Sequence, residues 1–142
     1  MYFDTSALIK RYVDEPGRDE VSQLLRKGDC IVSAILPVEV HSALQRRVTD
    51  RTLHESQLTA ILKRFTADRT FWTFIEVSPE VLGAAESLCA THSLRALDAI
   101  HVASAQLFNV RIGSAAFTFV SADVRQTVAT AALRIPTRHI QA

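Results

Sequence analysis

Four carboxylates stand where an apolar neighbourhood does not ordinarily admit them. Asp4 closes the run Met1-Tyr2-Phe3, and Glu39 lies on the apolar stripe of a helix. Asp98 opens the almost wholly apolar stretch 99–105, and Asp123 follows Phe117-Thr118-Phe119-Val120. Burying a carboxylate is costly unless a cation or a hydrogen-bond donor answers it. Four such positions spread along one chain point to one shared cation, and so to metal-dependent chemistry. Each also has a plainer reading. Aspartate is a favoured helix N-cap, which accounts for Asp4, Asp98 and Asp123 taken singly. Glu39, i+3 from Leu36 and i−4 from Ala43, needs either a buried cationic partner or a route to water. His101 lies one turn beyond Asp98 and belongs to no metal-binding spacing, so it reads as a hydrogen-bonded core residue.

The elements that must position these acids follow from periodicity and punctuation. The sequence predicts a short strand over 1–4 that feeds a helix over 6–13, broken by Asp14-Glu15-Pro16-Gly17. Helices are predicted over 18–26, 37–48 and 55–69, with strands over 30–32 and 74–77. Ser78 caps a helix reaching 91. A helix over 98–108, a strand over 117–121, a helix over 123–133 and a last short strand over 134–136 complete the order. Strands alternating with helices or helix pairs imply an α/β fold with a central parallel sheet. In such sheets ligands bind outside the carboxyl ends of the strands, where Asp4 and Asp123 fall.

At 142 residues the chain reads as a single domain, 1–142. With 16 Lys+Arg against 15 Asp+Glu the formal net charge is +1, so a broad polyanion-binding surface is not implied and nucleic acid would have to meet a local patch. Cys30 and Cys89 form no C-x-x-C and read as buried free thiols. No signal peptide and no apolar run of membrane-spanning length is present, which makes the cytoplasm the expected compartment and excludes a membrane partner.

The set of motifs is more specific than any member. Asp4-Thr5-Ser6-Ala7-Leu8, then Val38-Glu39-Val40-His41-Ser42-Ala43-Leu44, then Leu97-Asp98-Ala99-Ile100-His101-Val102-Ala103-Ser104-Ala105, then Phe119-Val120-Ser121-Ala122-Asp123 together resemble the PIN domain. The likeness is greatest to the VapC-type toxins of type II toxin–antitoxin pairs, and it covers essentially the whole chain. It implies a three-layer α/β/α sandwich and a metal-dependent endoribonuclease. It further implies that Asp4 and Asp98 are the primary Mg²⁺ (or Mn²⁺) ligands, that Glu39 and Asp123 complete the catalytic acidic cluster, and that Ser6 and Ser121 orient ligands or waters. A VapB-like antitoxin and a homodimer are the implied partners. Val124 departs from the pattern, since a basic residue commonly follows the fourth acid.

Phosphodiester hydrolysis needs an activated water and neutralised phosphate charge, and hard divalent cations on oxygen ligands supply both. RNA must also be held. Lys10, Arg11, Arg46, Arg47 and Arg95 are the candidate basic rim, although a solvated charged face explains any one of them equally well. Trp72 and its phenylalanine neighbours read as packing rather than as base-stacking groups. Without metal, like charge and burial are expected to favour protonated Glu39. Rival readings fare worse. A haloacid-dehalogenase-type phosphatase needs an acid where Ser6 stands, a receiver-type domain needs a phosphoacceptor that residues 30–36 lack, and a non-catalytic binding module would have no need of all four acids.

Overall fold

The computed structural model describes residues 1–113 and 116–141. Five parallel strands, β1 (Tyr2–Phe3), β2 (Ile31–Ser33), β3 (Thr73–Ile75), β4 (Phe119–Ser121) and β5 (Thr137–His139), form one sheet in the order β3-β2-β1-β4-β5. Seven helices join them among the described residues: α1 (Thr5–Leu8), α2 (Arg18–Lys27), α3 (Leu36–Thr49), α4 (Glu55–Asp68), α5 (Pro79–His92), α6 (Ala96–Ile112) and α7 (Val124–Ala132).

Two separate apolar cores explain the layering. Strand side chains alternate between faces. Phe3, Val32 and Val120 therefore pack with Leu8, Val21, Leu36, Val40, Leu44 and Phe65 of α1–α4. Tyr2, Ile31 and Phe119 turn the other way, onto Val81, Ala85, Leu88, Ala99, Val102 and Ala129 of α5–α7. The result is the α/β/α sandwich. β1 and β4 are wholly buried, as parallel strands covered on two faces must be.

The chain walks outward from β1 to β2 to β3, then returns to place β4 on the other side of β1. Tyr2 pairs with Ile31 on one flank and with Phe119 on the other. The reversal point lies between β1 and β4, where helices leave the two strand ends in opposite directions and open a crevice. Asp4 and Asp123 are the residues on either side of it.

Several local details differ from the sequence-based expectation. The first helix is shorter: α1 gives way to a 3-10 turn over Ile9–Arg11. Gly17, at φ +93°, starts α2 in a close approach where an added Cβ would meet Ile140 Cγ2 at 2.6 Å. The last strand falls at Thr137–His139 rather than 134–136, because Arg134 adopts φ 58° and residues 134–136 are spent reversing the chain after α7. Cys30 is buried as expected, but Cys89 is exposed, on the outer side of α5. No helix among the described residues is long and apolar enough to cross a membrane.

Trp72 packs against the core as the packing reading requires, edge-on to Phe65 at 5.4 Å, and Phe65 in turn meets Tyr12 at 5.6 Å. Phe65 is the fully buried residue of α4. Phe65→Ala should lower the unfolding free energy by about 3–5 kcal/mol, read as a lower urea midpoint at unchanged slope.

Candidate active site at the carboxyl ends of the central strands

Asp4 leaves β1 in extended conformation and caps α1 by accepting from the Ala7 amide at 2.9 Å. Its remaining capacity is filled by hydroxyls. Ser6 Oγ donates to Oδ1 at 2.9 Å and to Oδ2 at 2.7 Å, and Ser121 Oγ donates to Oδ2 at 2.8 Å. The side chain is fully buried. Desolvation pushes its carboxyl above the ordinary range, against the opposing effects of His101, the Ala7 amide and the two serines.

The same serines tie β1 to β4. Ser6 Oγ accepts from the Ala122 amide at 2.9 Å, and Ser121 Oγ accepts from the Asp123 amide at 3.0 Å. Asp123 caps α7, with Oδ1 accepting from the Arg125 amide at 2.7 Å. Asp4 and Asp123 are thus N-caps, the reading that each aspartate allows when taken singly. Asp98 differs. Helix α6 starts at Ala96 with Arg95 at the cap position, so Asp98 is its third residue and is not needed by the backbone. Its Oδ1 accepts from Gln126 Nε2 at 3.0 Å, which links α6 to α7. Burial, and then the charge of Asp123, raise the Asp98 carboxyl above its usual range.

Glu39 finds a partner that the sequence did not disclose. Oε2 accepts from Thr5 Oγ1 and from His101 Nε2, both at 2.6 Å, while His101 Nδ1 lies 2.8 Å from the Tyr2 hydroxyl. Burial pushes the Glu39 carboxyl up, but His101 and Thr5 outweigh it and the carboxyl is lowered. The expectation that Glu39 favours its protonated form is therefore corrected. Asp4 and Asp98 show the upward displacement instead: burial raises both, the hydrogen bonds that answer Asp4 come from neutral groups, and Asp123 adds like charge beside Asp98.

Contacts through Ser6, Ser121, Gln126, Thr5 and His101 gather all four acids around the β1–β4 reversal point. Among the described residues, however, no three histidine, cysteine, aspartate or glutamate side chains stand in an arrangement that grips an ion. The donor chemistry nevertheless fits a hard divalent cation. The groups nearest the crevice are carboxylates and hydroxyls, and two carboxyls are held above their ordinary range by burial and like charge, a penalty that a cation relieves.

The basic residues divide. Lys10 is buried, with Nζ donating to the Pro16 carbonyl at 2.9 Å and lying 3.3 Å from Glu15. Arg47 meets the same glutamate at 2.7 Å, and Arg11 pairs with Asp68 at 3.0 Å. These three serve structural ion pairs around the 14–17 turn and α4. Arg46 and Arg95 are exposed. Sequence reasoning missed Thr5, Gln126 and Arg125. The last reaches Asp123 at 3.6 Å, so a cation adjoins the fourth acid from one position beyond the departing Val124. Its signal was available, two residues after a capping aspartate.

The PIN domain family profile matches residues 1–134, and the chain belongs to that family. Two relatives from Mycobacterium tuberculosis, Ribonuclease VapC45 (strain CDC 1551 / Oshkosh) and Ribonuclease VapC49 (strain ATCC 25618 / H37Rv), are each 36% identical over 109 residues, 74% of this chain and 74% of the relative. Two solved structures share the fold at a TM-score of 0.64. A toxin–antitoxin complex from Klebsiella pneumoniae is 19% identical and covers 88% of each chain. FitAcB from Neisseria gonorrhoeae is 16% identical and covers 96% of this chain and 94% of its own.

The opposite shifts of Asp98 and Glu39 have opposite consequences for stability in chelator-treated protein. A carboxyl raised in the folded state keeps its proton longer there than in the unfolded chain. Stability therefore falls as pH rises through the unfolded value, roughly 3.9 for aspartate, toward the higher folded value. Asp98→Asn removes that loss and should melt above the wild type at pH 7, with the gap closing below about pH 4. Glu39 contributes stability above its unfolded value that is lost as pH falls through its lower folded value. Glu39→Gln should melt below the wild type at pH 7. Melting curves of both variants from pH 3 to 7 check the pair of signs.

Proposed function

We propose that the protein is a metal-dependent endoribonuclease, a VapC-type toxin that hydrolyses RNA phosphodiesters in the cytoplasm and is restrained by a VapB-like antitoxin. The observation that carries this reading is the set of Asp4, Glu39, Asp98 and Asp123 around the reversal point of a PIN-family sheet. The names of the two mycobacterial relatives support the ribonuclease assignment.

In this reading Asp4 and Asp98 hold Mg²⁺ or Mn²⁺, with Glu39 and Asp123 completing the site. The bound cation supplies an activated water and neutralises charge on the phosphate. The chain's own groups supply orientation. Ser6 and Ser121 fix the plane of the Asp4 carboxylate from two sides, Gln126 fixes Asp98, and Thr5 with His101 fixes Glu39. Arg46 and Arg95 are exposed cations for RNA phosphates, with exposed Arg125 beside Asp123 at 3.6 Å as a third, whereas Lys10, Arg11 and Arg47 act through the ion pairs that hold the scaffold.

The surroundings of the acids suit a protein partner. Val38 beside Glu39, Leu97 beside Asp98, and Val124 with Val128 beside Asp123 are 72%, 48%, 62% and 63% exposed. Apolar residues exposed around a charged centre are what an amphipathic antitoxin segment covers. An Arg or Lys of that segment would answer the carboxylates in the cation's place. The Klebsiella pneumoniae neighbour is itself a toxin–antitoxin complex, which supports the same partner class. A homodimer is part of the proposal.

Asp4→Asn should abolish cleavage of single-stranded RNA while the protein still melts cooperatively, since Asn keeps one oxygen to cap the Ala7 amide but loses the charge that the cation needs, together with the second acceptor that the serine hydroxyls share. Sequencing of RNA ends, with wild type and variant side by side, measures this. Cleavage at the wild-type rate would reduce Asp4 to a helix cap. Millimolar Mn²⁺ should also raise the melting temperature of chelator-treated wild type by mass action on the folded state, and Asp4→Asn should abolish most of that rise.

A further inference from the structure

His101 is bound into the site at both ring nitrogens without being one of its acids. It lies within electrostatic reach of Asp4, Glu39 and Asp98 alike. It sits on α6, one turn beyond Asp98, and is only 1% exposed. Nε2 is 2.6 Å from Glu39 Oε2, and Nδ1 is 2.8 Å from the Tyr2 hydroxyl. Tyr2 is on β1, two residues before Asp4, with its ring stacked on Phe119 at 5.3 Å and edge-on to the imidazole at 6.0 Å.

The donor directions follow from the partners. An ionised Glu39 only accepts, so Nε2 carries the proton. In the neutral imidazole the other ring nitrogen, Nδ1, is then the acceptor, so the Tyr2 hydroxyl donates to it at 2.8 Å. Thr5 Oγ1 donates to the same Glu39 oxygen at 2.6 Å. Among the described residues, every hydrogen bond to the Glu39 side chain therefore falls on Oε2, and Oε1 is left for another donor or an ion. Glutamate has three side-chain torsions, and on a half-buried helix face only such bonds choose among its rotamers.

We propose that the Tyr2–His101 pair is a positioning device for Glu39: with Thr5 it saturates Oε2 and so presents Oε1 alone as a single-oxygen ligand for a divalent cation. This rests on the metal-site reading above. It assigns His101 no contact with the cation or with RNA. The arrangement inverts the common metal-site pattern in which a carboxylate orients a ligating histidine, and it uses the same physics, in which an outer partner fixes the orientation of an inner ligand.

Calorimetric titration of Mn²⁺ into chelator-treated full-length protein, without RNA, tests this. His101→Leu should weaken Mn²⁺ binding by roughly ten- to a hundredfold, the usual effect of removing such an outer partner. His101→Gln keeps an N–H donor near the Nε2 position and should restore affinity to within about threefold of wild type, which loss of packing alone would not do. Tyr2→Phe keeps the stacked ring and removes only the hydroxyl. It should weaken binding at least threefold, and it carries the test if His101→Leu does not fold. Wild-type or tighter affinity in folded His101→Leu or in Tyr2→Phe overturns the proposal. So does a His101→Gln variant that is folded and as weak as His101→Leu. Wild type that binds no Mn²⁺ at all would instead remove the metal-site reading itself, and the inference with it. Asp4→Asn, expected to lose binding whatever His101 does, separates the two failures.

Discussion

The buried carboxylate of Asp4 organises the rest of the site. It is sealed from water at the end of the central strand, and the donors that meet it are neutral: one amide and two serine hydroxyls. The amide belongs to its own helix. One serine is two residues away, and the other comes from β4, across the reversal point of the sheet. A carboxylate bound in this way cannot move without parting β1 from β4. It also cannot be fully compensated, because neutral donors soften a desolvation penalty without cancelling charge. That residual imbalance is what the cation of the proposed function would relieve.

The other acids are graded around that centre by what answers them. Asp123 is bound by the amides of its own helix and approached by Arg125. Asp98 receives one amide hydrogen from Gln126 and feels the repulsion of Asp123. Glu39 receives a hydroxyl and an imidazole, which lower its carboxyl despite burial. Asp98 and Glu39, chemically similar groups, are thus displaced in opposite directions: burial and the charge of Asp123 raise Asp98, while His101 and Thr5 outweigh burial and lower Glu39. The short links Ser6–Ala122, Ser121–Asp123 and Gln126–Asp98 couple α1, β4, α6 and α7. The placement of these side chains is therefore set by contacts between elements.

The charge pairs away from the site serve that rigidity. Lys10 and Arg47 converge on Glu15, and Arg11 with Tyr12 converges on Asp68. These contacts fasten the turn after α1 to α3 and to the end of α4, so the short helix that begins at Asp4 is anchored at both ends. Basic residues that look on paper like an RNA-binding rim are in part the braces of the acid site. Lys10 and Arg47 meet an acid in the 14–17 turn, and Arg11 meets one at the end of α4.

Much of this was legible in the sequence, and the reasons are local. The alternation at Tyr2-Phe3, the cap at Asp4, Pro37 in the first turn of α3 and the Ser78 cap of α5 each depend on residues a few positions apart, so the order of elements and the α/β class follow from the chain alone. The anomaly of four acids in apolar contexts is likewise local, as is the pattern that places the chain among PIN domains. What only the tertiary structure decided is who answers whom. The partner of Glu39 is 62 residues away on α6, the second serine of Asp4 is 117 residues away on β4, and Gln126 reaches Asp98 from a different helix. No periodicity encodes such pairings, because they arise from sheet order. For the same reason the Glu39 shift runs opposite to the sequence-based expectation: burial and like charge can be inferred from neighbours in sequence, whereas a histidine delivered by the packing of α6 against the sheet cannot.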